Sequence, residues 1–214
     1  MTTQELMTKQ IAIMLEMQNA MNTKVNDKWA EQGFEWYRAI WIECGEMLEH
    51  YGWKWWKHQK PDAEQVKMEL VDIFHFGLSS RIDTPSSEIS LPYADIAAEL
   101  ARELSEPLVK DDFKQTLEVL AGQAVMYQHF DGTSFAGCMQ QMEMSFDELY
   151  KSYVGKNTLN FFRQDHGYKD GTYIKEWNGR EDNEYLVDIL DSLDTSEENF
   201  KEKVYQGLKD NYPV

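Results

Sequence analysis

The chain has 214 residues, of which 42% are hydrophobic and 13% aromatic, so it can bury a substantial core and is not disordered over most of its length. Its formal net charge of −17 argues against unassisted binding of nucleic acid, because a phosphate backbone requires a basic surface. No apolar run approaches the ~18–20 residues that a membrane-spanning helix needs. We therefore expect neither a nucleic-acid partner nor a membrane.

Two features indicate the compartment. The first residues lack the basic and apolar regions of a signal peptide. Cys44 and Cys138 both lie within apolar helical patterns, and we interpret them as free thiols in a reducing environment. We therefore expect a cytoplasmic protein, or a protein of the host cytoplasm if a phage encodes it.

Apolar residues at helical spacing predict three helices in the first part of the chain. They cover about residues 4–24, 35–50 and 62–80. An aromatic loop with three tryptophans, Trp53, Trp55 and Trp56, separates the second helix from the third. Residues 81–93 contain two prolines and several serines, which is typical of a surface connection.

Further helical patterns follow this connection. They cover about residues 95–104, 112–130, 134–154, 156–164 and 183–193. Before the last of these, residues 167–179 form a Gly-rich polar section, which predicts either a short hairpin or an ordered loop. Thr195 and Glu198 have the spacing of a capping box that opens one more helix. No alternating strand pattern persists elsewhere, so we predict an all-α helical bundle, folded as a single domain over residues 1–214.

Four acidic residues form two pairs, Glu43 with Glu46 on the second predicted helix and Glu69 with Asp72 on the third. Residues three apart share a helix face, and helices joined by a short loop pack as an antiparallel hairpin, which brings the pairs together. One such pair alone is typical of a solvated surface. Here Trp, Ile, Leu and Phe flank both pairs, so the carboxylates either neutralise through raised pKa values or bind cations. Oxygen ligands of this kind suit Mg²⁺ or Mn²⁺.

A di-iron centre is a weaker interpretation of the same region. Asp72 and His75 have the spacing of half of the motif that helical di-iron proteins use, Glu combined with Glu-x-x-His. Only one such triplet is present, and it begins with Asp. His75 is more often a hydrogen-bonded core residue than a ligand.

Three further groups suit a nucleotide, although each also has a structural explanation. The tryptophan loop offers stacking surfaces beside lysines, or simply core side chains. Lys156, Asn160 and Arg163 lie along one helix face, where they bind phosphate or form a solvated basic face. Gln18 and Asn22, four residues apart, either read the edge of a base or are ordinary surface amides.

Several of these stretches carry a family resemblance. They are Glu43-Cys44-Gly45-Glu46, Trp53-Lys54-Trp55-Trp56-Lys57, Glu69-Leu70-Val71-Asp72-Ile73-Phe74-His75-Phe76, and three segments at 153–164, 167–171 and 177–183. Together they resemble the dimeric all-α dUTPases, which belong to the all-α nucleotide pyrophosphatases together with the MazG-like enzymes. The acids are shared by that wider superfamily, whereas the tryptophan loop and residues 156–171 are specific to the dUTPase branch. The resemblance covers about residues 15–190.

The resemblance implies a homodimer that hydrolyses dUTP, and usually dUDP, to dUMP with more than one Mg²⁺ ion per site, for which Mn²⁺ substitutes. The metal ligands that it implies are Glu43, Glu46, Glu69 and Asp72. The nucleoside contacts are Gln18, Asn22 and Trp55 for uracil and Phe76 for the deoxyribose. The sugar or phosphate contacts, in a Gly-rich segment near 156–180, are Lys156, Asn160, Arg163, Tyr168 and Lys169.

The implied reaction is attack on the phosphate chain by a metal-activated water, with Glu43 as general base and Glu46 as the alternative. The expected partner is therefore a small nucleotide. Two other functions stay open at this point: an all-α pyrophosphatase for another deoxynucleoside triphosphate, and a non-catalytic acidic interaction protein.

Overall fold

Helices form most of the protein. The computed structural model describes residues 2–83, 92–197 and 199–213. The described residues are 69% helical with almost no strand, which confirms the predicted all-α class. The α-helices of the described residues are α1 (Thr3–Val25), α2 (Trp36–Tyr51), α3 (Ala63–Ile82), α4 (Tyr93–Leu104), α5 (Phe113–Tyr127), α6 (Gly132–Gln141), α7 (Phe146–Asp165), α8 (Asp182–Asp191) and α9 (Phe200–Asn211). Among these residues, no helix has the length and apolarity that crossing a membrane requires.

The predicted bounds of α1, α2 and α3 are confirmed to within two residues. Asp62 determines where α3 begins, because its side chain accepts a hydrogen bond from the backbone N–H of Gln65 (3.2 Å). The backbone N–H of Asp62 also donates to the carbonyl oxygen of His50 in the last turn of α2 (3.0 Å). The loop between the two helices is therefore closed at its base. Residues 84–91 of the predicted connection at 81–93 and the predicted capping residue Glu198 lie outside the described residues.

The single helix predicted over 134–154 was wrong, because two helices meet there. Helix α6 ends at Gln141, and Glu143 adopts a left-handed conformation (φ 52°). The N–H of Met144 then donates to the carbonyl oxygen of Met139 (2.9 Å), which closes a Schellman motif. The break expected before residue 156 is absent, since α7 continues through Gly155. A Cβ on Gly155 would lie 2.6 Å from Cδ1 of Leu190, so glycine permits close packing of α7 against α8.

The Gly-rich section contains a short hairpin, which decides between the two predicted alternatives. Strand β1 (Glu176–Trp177) pairs antiparallel with β2 (Arg180–Glu181). The turn residues Asn178 and Gly179 both have positive φ, 49° and 83°. Both values fit the turn that Asn-Gly favours between antiparallel strands.

The chain divides into two compact units, Met1–Phe146 and Asp147–Val214. That residues 1–214 form a single domain stays a prediction. In the first unit α2 and α3 pack along their length. Trp36 at the start of α2 stacks on Phe76 in the second half of α3 (6.4 Å), and His50 at the end of α2 lies 3.4 Å from Glu69 in its first half, so the pair is antiparallel.

The second unit has an aromatic core. Trp177 and Phe162 are both fully buried, with ring centroids 6.0 Å apart. Tyr173 stacks on Tyr212 of the C-terminal segment at 5.5 Å. These contacts hold the hairpin region, α7 and the chain end together.

Candidate metal and nucleotide site

Three carboxylates meet between α2 and α3. Glu43, Glu69 and Asp72 each offer one oxygen atom, and these atoms all lie within 4.8 Å of one another. The i, i+3 spacing puts Glu69 and Asp72 on one face of α3, and the antiparallel packing places Glu43 opposite them. Glu69 is buried at 8% exposure, whereas Glu43 and Asp72 are half-buried. The structure therefore brings together three of the four predicted metal ligands.

Glu46 is the fourth predicted ligand and does not join this cluster. It is solvent-exposed on α2, and among the described residues the three-carboxylate group does not include it. Its charge nevertheless acts on the cluster, because it contributes to the raised pKa values of Glu43 and Glu69.

Glu43 and Glu69 hold protons more tightly than ordinary glutamates do. Burial, followed by the charges of Asp72, Glu46 and Glu69, raises the pKa of Glu43 to about 7. Burial and then the charge of Asp72 raise the pKa of Glu69, opposed by a hydrogen bond with Glu43 and by His50. The hydrogen bond between the two side chains raises the pKa of Glu43 and lowers that of Glu69.

These groups fit a hard divalent cation. A cation would offset the repulsion that now raises the carboxyl pKa values, and carboxylate oxygens are the protein ligands that Mg²⁺ prefers. The Nε2 atom of His50 lies 3.4 Å from Glu69 Oε1, which places an imidazole at the edge of the cluster. Asp72 belongs to the carboxylate group, and the structure shows no second Glu-x-x-His element near it in the described residues.

The two predicted uracil-binding amides are buried and hydrogen-bonded to each other. Gln18 Nε2 donates to Asn22 Oδ1 (3.0 Å), and Asn22 Nδ2 donates to Ser79 Oγ (3.0 Å). The Ser79 hydroxyl donates to the backbone carbonyl oxygen of His75 (3.0 Å), and His75 Nδ1 lies 2.9 Å from Gln18 Oε1. These four residues form a closed hydrogen-bonded ring between α1 and α3, which we call the amide ring. No local sequence signal pairs Asn22 with Ser79, because 57 positions separate them.

The predicted aromatic contacts have different surroundings. Trp55 is 89% exposed, which is unusual for tryptophan, and it meets Trp56 edge to face at 5.4 Å. Its loop is nevertheless anchored, because the side-chain oxygen of Gln59 accepts hydrogen bonds from the backbone N–H groups of Trp53 (3.1 Å) and Lys54 (2.8 Å). An anchored loop that presents an exposed indole can stack on a base.

A cavity of about 960 Å³ lies at the other end of the α2–α3 pair, beside the start of α2 and the end of α3. Its aromatic lining comprises Trp29, Phe34, Trp36, Tyr37, Tyr93 and Tyr127. Trp36 also stacks on Phe76, the residue predicted to contact deoxyribose, and its Nε1 donates to Asp83 Oδ2 (3.0 Å). Sequence reasoning missed Trp36 and Asp83, since neither belongs to a motif.

The predicted phosphate contacts lie in the second unit. Lys156, Asn160 and Arg163 follow one another along α7. Arg163 forms a bidentate ion pair with the carboxylate of Asp182, through Nε and Nη2 at 2.8 Å each. The turn after α7 carries Tyr168, which is 53% exposed, and its backbone N–H donates to the carbonyl oxygen of Arg163 (3.0 Å). Lys169 follows and is exposed. Sequence reasoning missed Asp182, because its partner lies 19 positions earlier.

Comparison with curated proteins gives no match. A family model described as dUTPase matches residues 10–168, which is more than half of the chain. The matched range contains the carboxylate cluster, the amide ring, Trp55 and Phe76. It also contains Lys156, Asn160 and Arg163 of α7 and ends at Tyr168. This extent confirms the family predicted from the sequence motifs: the chain belongs to the dUTPase family.

Proposed function

We propose that this protein hydrolyses dUTP and dUDP to dUMP in a reaction that depends on Mg²⁺. The observation that carries the proposal is the convergence of Glu43, Glu69 and Asp72 between two antiparallel helices, in a chain that belongs to the dUTPase family. Three carboxylates in one partly buried place are costly unless a cation or a proton compensates their charge.

Each acid has a role in this proposal. Glu43, Glu69 and Asp72 would hold more than one Mg²⁺ ion, with Glu46 as the fourth proposed ligand; Mn²⁺ could replace Mg²⁺. When bound, Mg²⁺ supplies Lewis acidity toward the phosphate chain and offsets the charge that develops there. Glu43 takes the proton of the attacking water as general base, and Glu46 is the alternative.

The nucleoside end is assigned to the first unit. Gln18 and Asn22 hydrogen-bond the uracil edge, Trp55 stacks on the base, and Phe76 lies against the deoxyribose. Buried amides discriminate strongly against a base whose donors and acceptors are reversed, because the wrong partner leaves polar groups unpaired. This supports selection against cytosine.

Five further residues are assigned to the sugar or the phosphates. We propose that Lys156, Asn160, Arg163, Tyr168 and Lys169 contact the sugar or the phosphates. Guanidinium and ammonium groups form charge-assisted hydrogen bonds with phosphate oxygens. The proposed assembly is a homodimer, as in the dUTPases that the sequence resembles.

Turnover of a nucleotide panel tests the function. The full chain should convert dUTP and dUDP to dUMP with Mg²⁺ and not with EDTA, and should leave dCTP and dTTP largely intact. Turnover of another deoxynucleotide instead would indicate a pyrophosphatase of different specificity. Absence of any turnover, together with no stabilisation by Mg²⁺ and the non-hydrolysable analogue dUpNHpp, would indicate a non-catalytic protein.

Matched acid variants locate the metal. We expect Asp72→Asn to lower kcat/KM for dUTP about 100-fold or more, since it removes a charged ligand. We expect Asp72→Asn also to abolish the rise in Tm that Mg²⁺ causes in the wild-type protein, and Glu46→Gln to reduce that rise less, because Glu46 is exposed outside the cluster. Glu118→Gln, a change at an exposed position on α5, is the control and should match the wild type. Equal losses in Asp72→Asn and Glu118→Gln would contradict the assignment.

A further inference from the structure

Arg163 and Asp182 form a bidentate, largely buried ion pair in the second unit. Both Asp182 oxygens accept from Arg163, one from Nε and one from Nη2, at 2.8 Å each. Asp182 is fully buried, and the side chain of Arg163 is 18% exposed. A planar guanidinium bound along its Nε–Nη2 edge has lost the freedom to rotate about its last bonds.

Tyr173 completes this contact. Its hydroxyl donates to Asp182 Oδ2 at 2.8 Å. Burial alone would raise the pKa of Asp182, but hydrogen bonds from Arg163 and Tyr173 outweigh it and hold the pKa below its usual value. Burial and then Asp182 raise the pKa of Tyr173, so the phenol keeps its proton. The carboxylate therefore stays ionised and fully bonded at neutral pH.

The opposite edge of the guanidinium is much less committed. Besides a hydrogen bond between the guanidinium and the Tyr173 hydroxyl, it meets two amide oxygens among the described residues, Asn160 Oδ1 at 3.5 Å from Nη1 and Asn183 Oδ1 at 3.4 Å from Nη2. Both distances exceed the usual ~2.9 Å of an N–H···O bond. Two parallel N–H groups on one edge of a guanidinium match two oxygens of a phosphate. The ion pair thus leaves Arg163 with a fixed edge suited to an oxyanion.

The hairpin returns the chain so that Asp182 reaches α7. The backbone N–H of Asp182 donates to the carbonyl oxygen of Lys175 (3.0 Å), across the two strands and their Asn-Gly turn. Tyr173 and Asp182 both lie after residue 168, where the match to the dUTPase family model ends. The Gly-rich section thus contains Tyr173 and leads the chain to Asp182, the two residues that hold the ion pair together.

We propose that Asp182 is a positioning residue that aims the Nη1–Nη2 edge of Arg163 at the phosphate chain of the nucleotide, with Tyr173 fixing the carboxylate from the other side. The inference rests on the proposed function and takes the phosphates, rather than the sugar, as the groups that Arg163 contacts. The competing explanation is a purely structural ion pair that ties the hairpin to α7.

Nucleotide binding with and without Arg163 separates the two explanations. The full chain is compared as wild type, Asp182→Asn, Arg163→Ala and the double variant, by measuring dUTP turnover and the Kd values of dUpNHpp and of deoxyuridine in Mg²⁺. Asp191→Asn is the matched control, since it removes an aspartate that binds Lys151 (2.9 Å) at the surface of the same unit. Circular dichroism checks that each variant is folded.

A positioning role predicts a specific pattern. Asp182→Asn should weaken dUpNHpp about tenfold or more and leave deoxyuridine affinity unchanged, because only the phosphates meet Arg163. In the Arg163→Ala background the same change should cause no further loss. Asp191→Asn should bind both ligands as the wild type does.

Other results would overturn the inference. A purely structural ion pair is indicated by any of three results. In the first, Asp182→Asn binds dUpNHpp with the wild-type Kd; in the second, it weakens deoxyuridine as much as dUpNHpp; in the third, it causes the same loss of affinity in the Arg163→Ala background. If Asp182→Asn does not fold, Tyr173→Phe, which removes a single bond to the carboxylate, must show the same pattern at smaller size. If the wild-type protein leaves dUTP intact, the proposed function is overturned and this inference with it. If the wild-type protein hydrolyses dUTP and Asp182→Asn binds dUpNHpp with the wild-type Kd, the inference alone is overturned.

Discussion

At the scale of single residues, the two members of the first acidic pair behave differently. Glu43 lies in the carboxylate cluster and shares a hydrogen bond with Glu69, whereas Glu46 is exposed one turn later. Their different burial is what makes Glu43 the better candidate for a proton acceptor, because its proton affinity is already tuned by its neighbours. The i, i+3 spacing alone does not distinguish Glu43 from Glu46.

The raised pKa of Glu43 predicts a pH-dependent stability in metal-free protein. The ordinary pKa of this carboxyl is 4.5 and its pKa in the fold is about 7, so its stabilising contribution is full below pH 4.5 and is lost as the pH rises through 7. We expect the free energy of unfolding to fall over this range by about 1–2 kcal/mol, a figure reduced for the partial exposure of the group. Urea denaturation in EDTA at a series of pH values measures the fall.

Two variants identify the group responsible. Glu43→Gln removes one titrating carboxyl and should reduce the slope of the curve between these pH values; the remaining slope belongs to Glu69, whose pKa is also raised. Glu118→Gln should leave the curve as in the wild type, because Glu118 is exposed far along the chain on α5. An unchanged slope in Glu43→Gln would show that another group carries the effect.

At the scale of elements, the packing of α6 depends on one glycine. A Cβ on Gly137 would lie 1.9 Å from the backbone carbonyl oxygen of Leu108. That backbone cannot easily retreat, because the N–H of Leu108 donates to the carbonyl oxygen of Thr133 (2.9 Å) and the N–H of Lys110 to Thr116 Oγ1 (2.9 Å). We expect Gly137→Ala to lower the free energy of unfolding by about 2–4 kcal/mol, measured by urea denaturation.

Gly122 provides the control for this substitution. It lies on α5, and a Cβ added there would have no neighbouring atom within 4 Å, so Gly122→Ala should stabilise the protein by up to about 1 kcal/mol through helix propensity. Similar losses for both alanine variants would refute the close contact between α6 and Leu108.

The helices near the acids followed from the sequence, and several contacts around them did not. The period of apolar residues located α1 to α3, and two i, i+3 acidic pairs predicted convergence, which the structure shows for three of the four acids. The break after α6 carries no signal, because Glu143 occupies a left-handed position where glycine is usual. Partners such as Ser79 for Asn22 depend on tertiary packing, which no local pattern encodes.

At the scale of the whole molecule, a chain with a net charge of −17 is proposed to act on a polyanion. Bound divalent cations are the physical means by which such a surface accepts phosphate, because they reverse the local potential. The resemblance to dimeric enzymes adds a prediction about assembly. Sedimentation equilibrium should give twice the 25.2 kDa mass of one chain at micromolar concentration, and a mass of one chain there would refute the homodimer.

In the amide ring, one backbone oxygen fixes which group donates and which accepts in every hydrogen bond. The carbonyl oxygen of His75 can only accept, so the one hydroxyl hydrogen of Ser79 points to it and leaves Oγ to receive the Asn22 amide. Asn22 must then accept from Gln18 Nε2 through its side-chain oxygen. The side-chain oxygen of Gln18 therefore faces His75 Nδ1, and this nitrogen is the one that carries the hydrogen. Neither amide can reverse alone. The polarity with which both amides would meet the proposed uracil is thus set by the main chain of α3, and it holds for as long as the Ser79 hydroxyl keeps its bond to that carbonyl.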